Sequence, residues 1–210
     1  MDVQEIKTRK IRPPKDSIED LLDYIPKLKE GSVVAISSKV VSICEGHTIQ
    51  LETISHEDLV NKLADLEIEP IARGPNDMIL TQVGDLLVES SGVDISNSNG
   101  YYILLPKNPF KSAQDIWRHL RKRDGIKRLG VVITDSHSVP RRSGAIGFAL
   151  ASYGFKATNV YTDKKDIYGK EFNFTASDVA DSLAAASVLV MGEGGEMTPL
   201  AVVTNIKNIK

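Results

Sequence analysis

Four short apolar runs constrain this chain more than anything else in it: SVVAIS (32–37), LGVVIT (129–134), SVLVMG (187–192) and LAVVTNI (200–206). Each is rich in β-branched residues and apolar without alternation, as expected for a strand buried on both faces. YYILL (101–105) reads as another strand, stopped by Pro106. Helical patterns separate the runs. Residues 16–25 carry a cap at Asp16 or Ser17 and a stop at Pro26. Residues 56–66 are amphipathic, Ser112 caps a helix that ends near Arg123, and 175–186 form an Ala-rich helix. Such alternation predicts a mixed α/β fold. No linker rich in Pro, Gly or Ser splits residues 1–210, so they read as one unit, with 70–76 as a candidate boundary between lobes.

Composition excludes several classes. Aromatics are 6%, so the core must rest on Val, Ile, Leu and Ala. Lysine and arginine total 26 against 28 acids, which gives no bulk basicity for nucleic acid. The one basic cluster, Arg118 to Arg128, reads as a solvated helix end, with a phosphate patch as the alternative. Cys44 is the single cysteine, so no intramolecular disulfide or cysteine-based zinc site can form, and a reducing cytoplasm fits. His47, His56, His119 and His137 show no paired ligand spacing. The polar N-terminus has no signal-peptide core, and no run is long enough to span a bilayer.

Three acids stand where apolar runs end or turn. Asp135 follows GVVIT, Asp94 lies in the turn-rich SSGVDISNSNG beside Ser96 and Asn97, and Glu193 follows SVLVMG. Hard divalent cations take oxygen ligands of this kind. Taken singly, each segment is equally what a turn looks like, because Asp, Asn, Ser and Gly form turns. The glycine loop 192–195 can present backbone N–H groups to phosphate or can simply turn the chain. No Walker motif and no G-x-G-x-x-G fingerprint occurs.

In combination, SSKVVSICEG (37–46), SGVDISN (91–97), GVVITDS (130–136), PRRSG (140–144), KDIYGKE (165–171), VADSLAAA (179–186) and LVMGEGG (189–195) resemble the gamma-glutamyl ligases of coenzyme F420, a deazaflavin redox cofactor. The resemblance runs from about Gly31 to Val203. It implies an intertwined homodimer of two-lobed α+β subunits, with GTP in a groove at the dimer interface. It implies a GTP-dependent ligase that activates a carboxylate of the coenzyme precursor as an acyl phosphate, which L-glutamate then displaces. It implies divalent metal, manganese or magnesium. By motif, Asp94 and Asp135 match carboxylates of a first metal, and Ser136 and Glu193 ligands of a second. Ser38, Lys39, Asn97 and the loop Met191, Gly192, Glu193, Gly194, Gly195, Glu196, Met197 and Thr198 match nucleotide contacts, and Arg142 matches an arginine suited to phosphate or carboxylate.

The chain departs from the family pattern at Ser90 (commonly Asn), at Ile43 (Lys), at Ser138–Val139 (Gly–Arg) and at Thr204–Asn205 (Arg–Gly). The carboxylates survive while substrate-side groups change. Two alternatives therefore stand beside the deazaflavin ligase: the same chemistry on another acceptor such as a folate, and a nucleotide-binding homologue without catalysis.

Overall fold

The run 32–37 is a strand buried along nearly its whole length, and it sits at the centre of the molecule. The computed structural model describes residues 1–68, 79–139 and 141–207, so the candidate boundary at 70–76 lies outside the described residues. In chain order come β1 (Asp2–Ile6), α1 (Ile18–Leu22), β2 (Ser32–Ser37), α2 (Ser38–Glu45), β3 (Thr48–Gln50), α3 (His56–Leu63), β4 (Leu66–Ile68), β5 (Leu80–Val83), β6 (Leu86–Glu89) and β7 (Tyr101–Ile103). Then follow α4 (Pro109–Asp124), β8 (Leu129–Ser138), β9 (Ala145–Tyr153), β10 (Thr158–Val160), β11 (Ala176–Asp178), α5 (Val179–Met191) and β12 (Leu200–Thr204).

The main sheet has the order β1-β12-β2-β8-β9. Only β2 and β8 run parallel; the other neighbours are antiparallel. Alternate residues feed two cores. Val34, Ile36, Val131 and Ile133 face Leu21 and Leu22 of α1 and Ala113, Ile116 and Leu120 of α4. Val33, Ala35, Val132, Ala201 and Val203 face Leu183 and Ala184 of α5. Both faces of the sheet are covered, which is why its strands read as unbroken apolar runs. Removing one such Val, Ile or Leu side chain from water is worth about 1.5–3 kcal/mol.

Three expectations need correction. SVLVMG is not a strand: residues 179–191 form the single helix α5, capped by the Asp178 side chain, which accepts from the Asp181 N–H. Helical spacing places Leu183, Ala184, Ser187 and Met191 inside while Leu189 points out, 84% exposed. The helix before β8 starts earlier than Ser112. Asn108 caps it through the Lys111 N–H at 3.0 Å, and Pro109 opens it, where a missing N–H costs nothing. The strand at 129–134 continues to Ser138 because β9 pairs with it beyond the end of β2.

The basic cluster is a helix end. Arg121, Lys122 and Arg123 fill the last turn of α4 before Gly125, whose φ of 70° closes the helix. Arg123 donates to the Leu22 carbonyl and pairs with Asp124, and the Arg121 guanidinium lies 4.3 Å over the Trp117 ring.

One register shift matters for the site. Ile133 pairs with Ala151 but Thr134 pairs with Ala149, so β9 carries Leu150 as an extra residue. Above the bulge Ala151 packs in the first core; below it Ala149 packs in the second and Phe148 returns to the first.

Two smaller sheets, β3-β7 and β4-β5-β6, lie with α3 around Leu59, Tyr102 and Leu104. The architecture is α+β, mixed rather than regularly wound. The excursion from β10 to β11 exposes Ile167, Tyr168 and Phe174 by 89–90%. No helix of the described residues is long and apolar enough to cross a membrane.

Candidate functional site

The parallel pair β2–β8 ends at Ser37 and Thr134, and the next residue of each strand begins the site. Carboxyl ends of parallel strands are where open α/β sheets bind ligands. Ser38 starts α2, and its hydroxyl donates to Asp135 Oδ2 at 2.8 Å. The Ser136 N–H donates to Asp135 Oδ1 at 2.8 Å. Burial pushes the Asp135 carboxyl above the ordinary carboxylate range, those two hydrogen bonds pull it down, and the neighbouring Asp94 charge pushes it up again.

Asp94 arrives from the other side. Its backbone is pinned to β7 by paired hydrogen bonds with Ile103, both 2.9 Å. Its Oδ1 accepts from the Ser96 N–H at 2.6 Å, and its Oδ2 meets Lys39 Nζ at 2.6 Å. Lys39 also donates to the Ser96 carbonyl at 3.2 Å and to its hydroxyl at 2.7 Å. The start of α2 therefore touches both acids, through Ser38 to Asp135 and through Lys39 to Asp94.

The glycine loop closes the third side. The Ser136 hydroxyl donates to Glu193 Oε2 at 3.0 Å, and Asn97 Nδ2 donates to the Gly194 carbonyl at 3.0 Å. Sequence segments around 38, 94, 135 and 193 thus meet at one place, although Glu193 comes there from a helix end and not from a strand end. A cleft of about 270 Å³ opens between the end of the main sheet and the smaller sheets. Among the described residues no group of three or more His, Cys, Asp and Glu side chains forms a preassembled metal cage.

Not every candidate faces this cleft. Met191 is buried in the second core. Glu196 turns back on its own loop, where its Oε2 accepts from the Gly194 N–H at 2.8 Å. Gly192 has φ 79° and ψ 167°, a conformation essentially confined to glycine, so this turn requires it. Met197, at φ 61°, presents its carbonyl to the Thr8 N–H, and the Thr198 hydroxyl bonds the Met191 carbonyl. Gly195 has open space around it. Arg142 lies exposed in the β8–β9 connection, and no described residue bonds its guanidinium.

The departures find physical settings. Ser90 has φ 48°, a left-handed conformation that Asn tolerates better than most residues. Ile43 is 2% exposed on α2, so a lysine there would have to carry its ammonium out of the core. Among the cleft residues that the sequence reading did not assign are His137 and Phe148, whose rings lie 4.7 Å apart. For His137 the signal was present, since residues 135 and 137 of a strand share a face.

The chain is similar to known proteins along nearly its whole length. The family model described as F420-0:Gamma-glutamyl ligase matches residues 5–205. The coenzyme F420:L-glutamate ligase of Methanopyrus kandleri is 36% identical, with 95% of this chain and 84% of that protein aligned. The protein of the same name from Archaeoglobus fulgidus is 31% identical, over 91% and 82%. That of Methanococcus maripaludis strain C6 is 32% identical, over 90% and 81%. Fold, site and similarity together define an enzyme of the ligase class. The chain belongs to the F420-0:gamma-glutamyl ligase family.

Proposed function

We propose that this chain joins L-glutamate by an amide bond to a carboxylate of the coenzyme F420 precursor, in a reaction that depends on GTP and a divalent metal. The observation that carries the reading is the meeting of Asp94, Asp135, Lys39 and Ser38 in one cleft. Relatives named coenzyme F420:L-glutamate ligase supply the substrate class.

The donors present suit a hard cation. Asp135 is enclosed, with one hydroxyl and one N–H on its oxygens and a second acid beside it, so its charge is under-compensated. Asp94, Asp135, Ser136 and Glu193 would hold manganese or magnesium through oxygen alone. Bound metal supplies charge neutralisation for phosphoryl transfer.

The chain's own residues position the rest. Lys39, released from Asp94, is a point charge for phosphate. The Gly195 N–H offers a backbone donor without adding charge, while that of Gly194 is held by Glu196. Arg142, exposed on the β8–β9 connection, is a planar fork for phosphate or the substrate carboxylate. In the proposed sequence the acceptor carboxylate oxygen attacks the γ-phosphorus of GTP and GDP departs. The glutamate amine then attacks the acyl carbon, an amide forms, and phosphate and a proton leave. Catalysis of this kind is mainly positioning and electrostatics, and it needs no acid–base histidine.

The same reading includes a homodimer. Ile167, Tyr168 and Phe174 stand almost fully exposed on the β10–β11 excursion, an apolar surface that a second copy would cover.

Incubation with GTP, manganese, glutamate and either the deazaflavin precursor or a folate tests the proposal. The expected result is phosphate release with the precursor and an acceptor mass gain of one glutamyl residue. Turnover with folate alone would move the activity to another acceptor. No phosphate release with either would leave a nucleotide-binding homologue and overturn the proposal.

A further inference from the structure

We infer that the β8–β9 hairpin carries a stacking shelf, formed by His137 and Phe148 and extended by Ile146, for the planar heteroaromatic ring of a phosphate-bearing ligand. The inference rests on the reading that the acidic end of the cleft takes phosphate, and it assigns the aromatic wall beside it.

Four observations support it. First, the cleft lining is chemically mixed: Ser38, Lys39, Asp94 and Asp135 supply polar groups, and Val88, Leu104 and Phe148 supply apolar surface. Second, the aromatic pair shares a face with the reactive acid. Asp135 pairs across the hairpin with Phe148 and His137 with Ile146, so the four side chains form a two-by-two patch with the carboxylate at one corner. Third, the patch is accessible. His137 and Phe148 are half-buried, and Ile146 is 49% exposed, unusual for isoleucine without a partner. The two rings lie 4.7 Å apart at 46°, and both line the cleft while only half-buried, so part of each ring reaches the cleft. Fourth, the shelf is rigidly backed. Gly147, between Ile146 and Phe148, lies so close to α5 that a Cβ would fall 2.6 Å from Val188.

A ring on this shelf places its attached phosphates beside Asp135 and Lys39. Guanine and the deazaflavin of the acceptor precursor are both planar heteroaromatics, and the test distinguishes them. Wild type, His137→Ala and Phe148→Leu are titrated in manganese with three probes: inorganic tripolyphosphate, GTP and the deazaflavin precursor. Phe148→Leu keeps apolar volume and loses only the aromatic face, and the thermal midpoint of each variant is checked for folding.

Loss of stacking should weaken one ring-bearing probe on the order of tenfold, with tripolyphosphate affinity unchanged. Loss confined to GTP assigns the shelf to the base; loss confined to the precursor assigns it to the acceptor. If both variants bind both ring-bearing probes as tightly as wild type, the shelf is overturned. If tripolyphosphate does not bind wild type while a ring-bearing probe weakens in the variants, the shelf stands and the phosphate assignment fails instead.

Discussion

Replacing Asp135 by asparagine should abolish metal-dependent turnover and leave the fold as stable as wild type or slightly more so. Asp135 accepts from the Ser38 hydroxyl on one oxygen and from the Ser136 N–H on the other. Asparagine keeps both bonds: Oδ1 accepts from the Ser136 N–H, and Nδ2 donates to the Ser38 hydroxyl, which rotates to accept. A neutral hydrogen bond is worth about 0.5–1.5 kcal/mol net, so with both retained the change should stay within about 1 kcal/mol. Alanine at this position would orphan the Ser136 N–H, a loss of about 1–3 kcal/mol. The pH dependence sharpens the test. The folded carboxyl lies above its unfolded range, mainly through burial, so the native state binds more protons in the window between the two. The stability contributed by protonated Asp135 is complete below the unfolded pKa of about 3.9 and is lost as pH rises through the folded value. Asp16, Asp124, Glu30 and Asp115 are held low by Arg9, Arg123, the Lys127 and Arg128 N–H groups, and Lys111, so they contribute the opposite slope. The difference between Asp135→Asn and wild type cancels them. Urea unfolding of both proteins from pH 4 to 8 should show the variant gaining relative to wild type as pH rises. A variant about 3 kcal/mol less stable at pH 7, or a difference flat with pH, would show that Asp135 supports the fold and refute the reasoning.

Lys39→Met should bind manganese more tightly in the absence of nucleotide, because the cation on Asp94 is gone, and GTP more weakly; unchanged manganese affinity by paramagnetic resonance titration would sink that role. Burial pushes the Cys44 thiol up to about 12. Ellman's reagent at pH 8 should therefore label the native protein on the order of a hundredfold more slowly than the urea-unfolded chain, and equal rates would contradict the burial. Light scattering should report a dimer at micromolar concentration, with an interface above about 2,000 Å² in total; a monomer would refute the role given to Ile167, Tyr168 and Phe174.

The three central strands of the main sheet were legible because they are buried on both faces, so SVVAIS, LGVVIT and LAVVTNI announce themselves by composition alone; the edge strands β1, largely exposed, and β9, interrupted by its bulge, lack that signal. The same rule misled at SVLVMG. β-Branched residues there continue an Ala-rich helix, and what decides the matter is the absence of any breaker between Ala186 and Ser187, together with Gly192 at the end. Residue chemistry and motif order picked out Asp94, Asp135 and Glu193. Periodicity could not show that Lys39 would pair with Asp94, since that contact joins the start of one helix to a turn 55 residues on, and only tertiary packing sets it. Arg142 shows the reverse: its motif was readable, but its place on the hairpin connection keeps it out of the cleft's hydrogen-bond network.

The β8–β9 hairpin can absorb a change of length at its connection and, in register, at the extra residue Leu150, but not between them. The connection 141–144 lies exposed, and insertions there would lengthen a loop at small entropic cost. Leu150 and Ala151 both pack in the first core, so loss of Leu150 would leave Ala151 opposite Ile133 and Ala149 opposite Thr134, each still on its own face. Removal of Phe148 would instead invert every side chain from Ala145 to Gly147. Ile146 would be driven against α5, where only Gly147 fits, and the glycine would face the cleft. Variants that shift the count between the connection and Leu150 by one should lose the pocket wall and the helix packing in the same step, whereas a deletion paired with a compensating insertion in the same stretch should restore both.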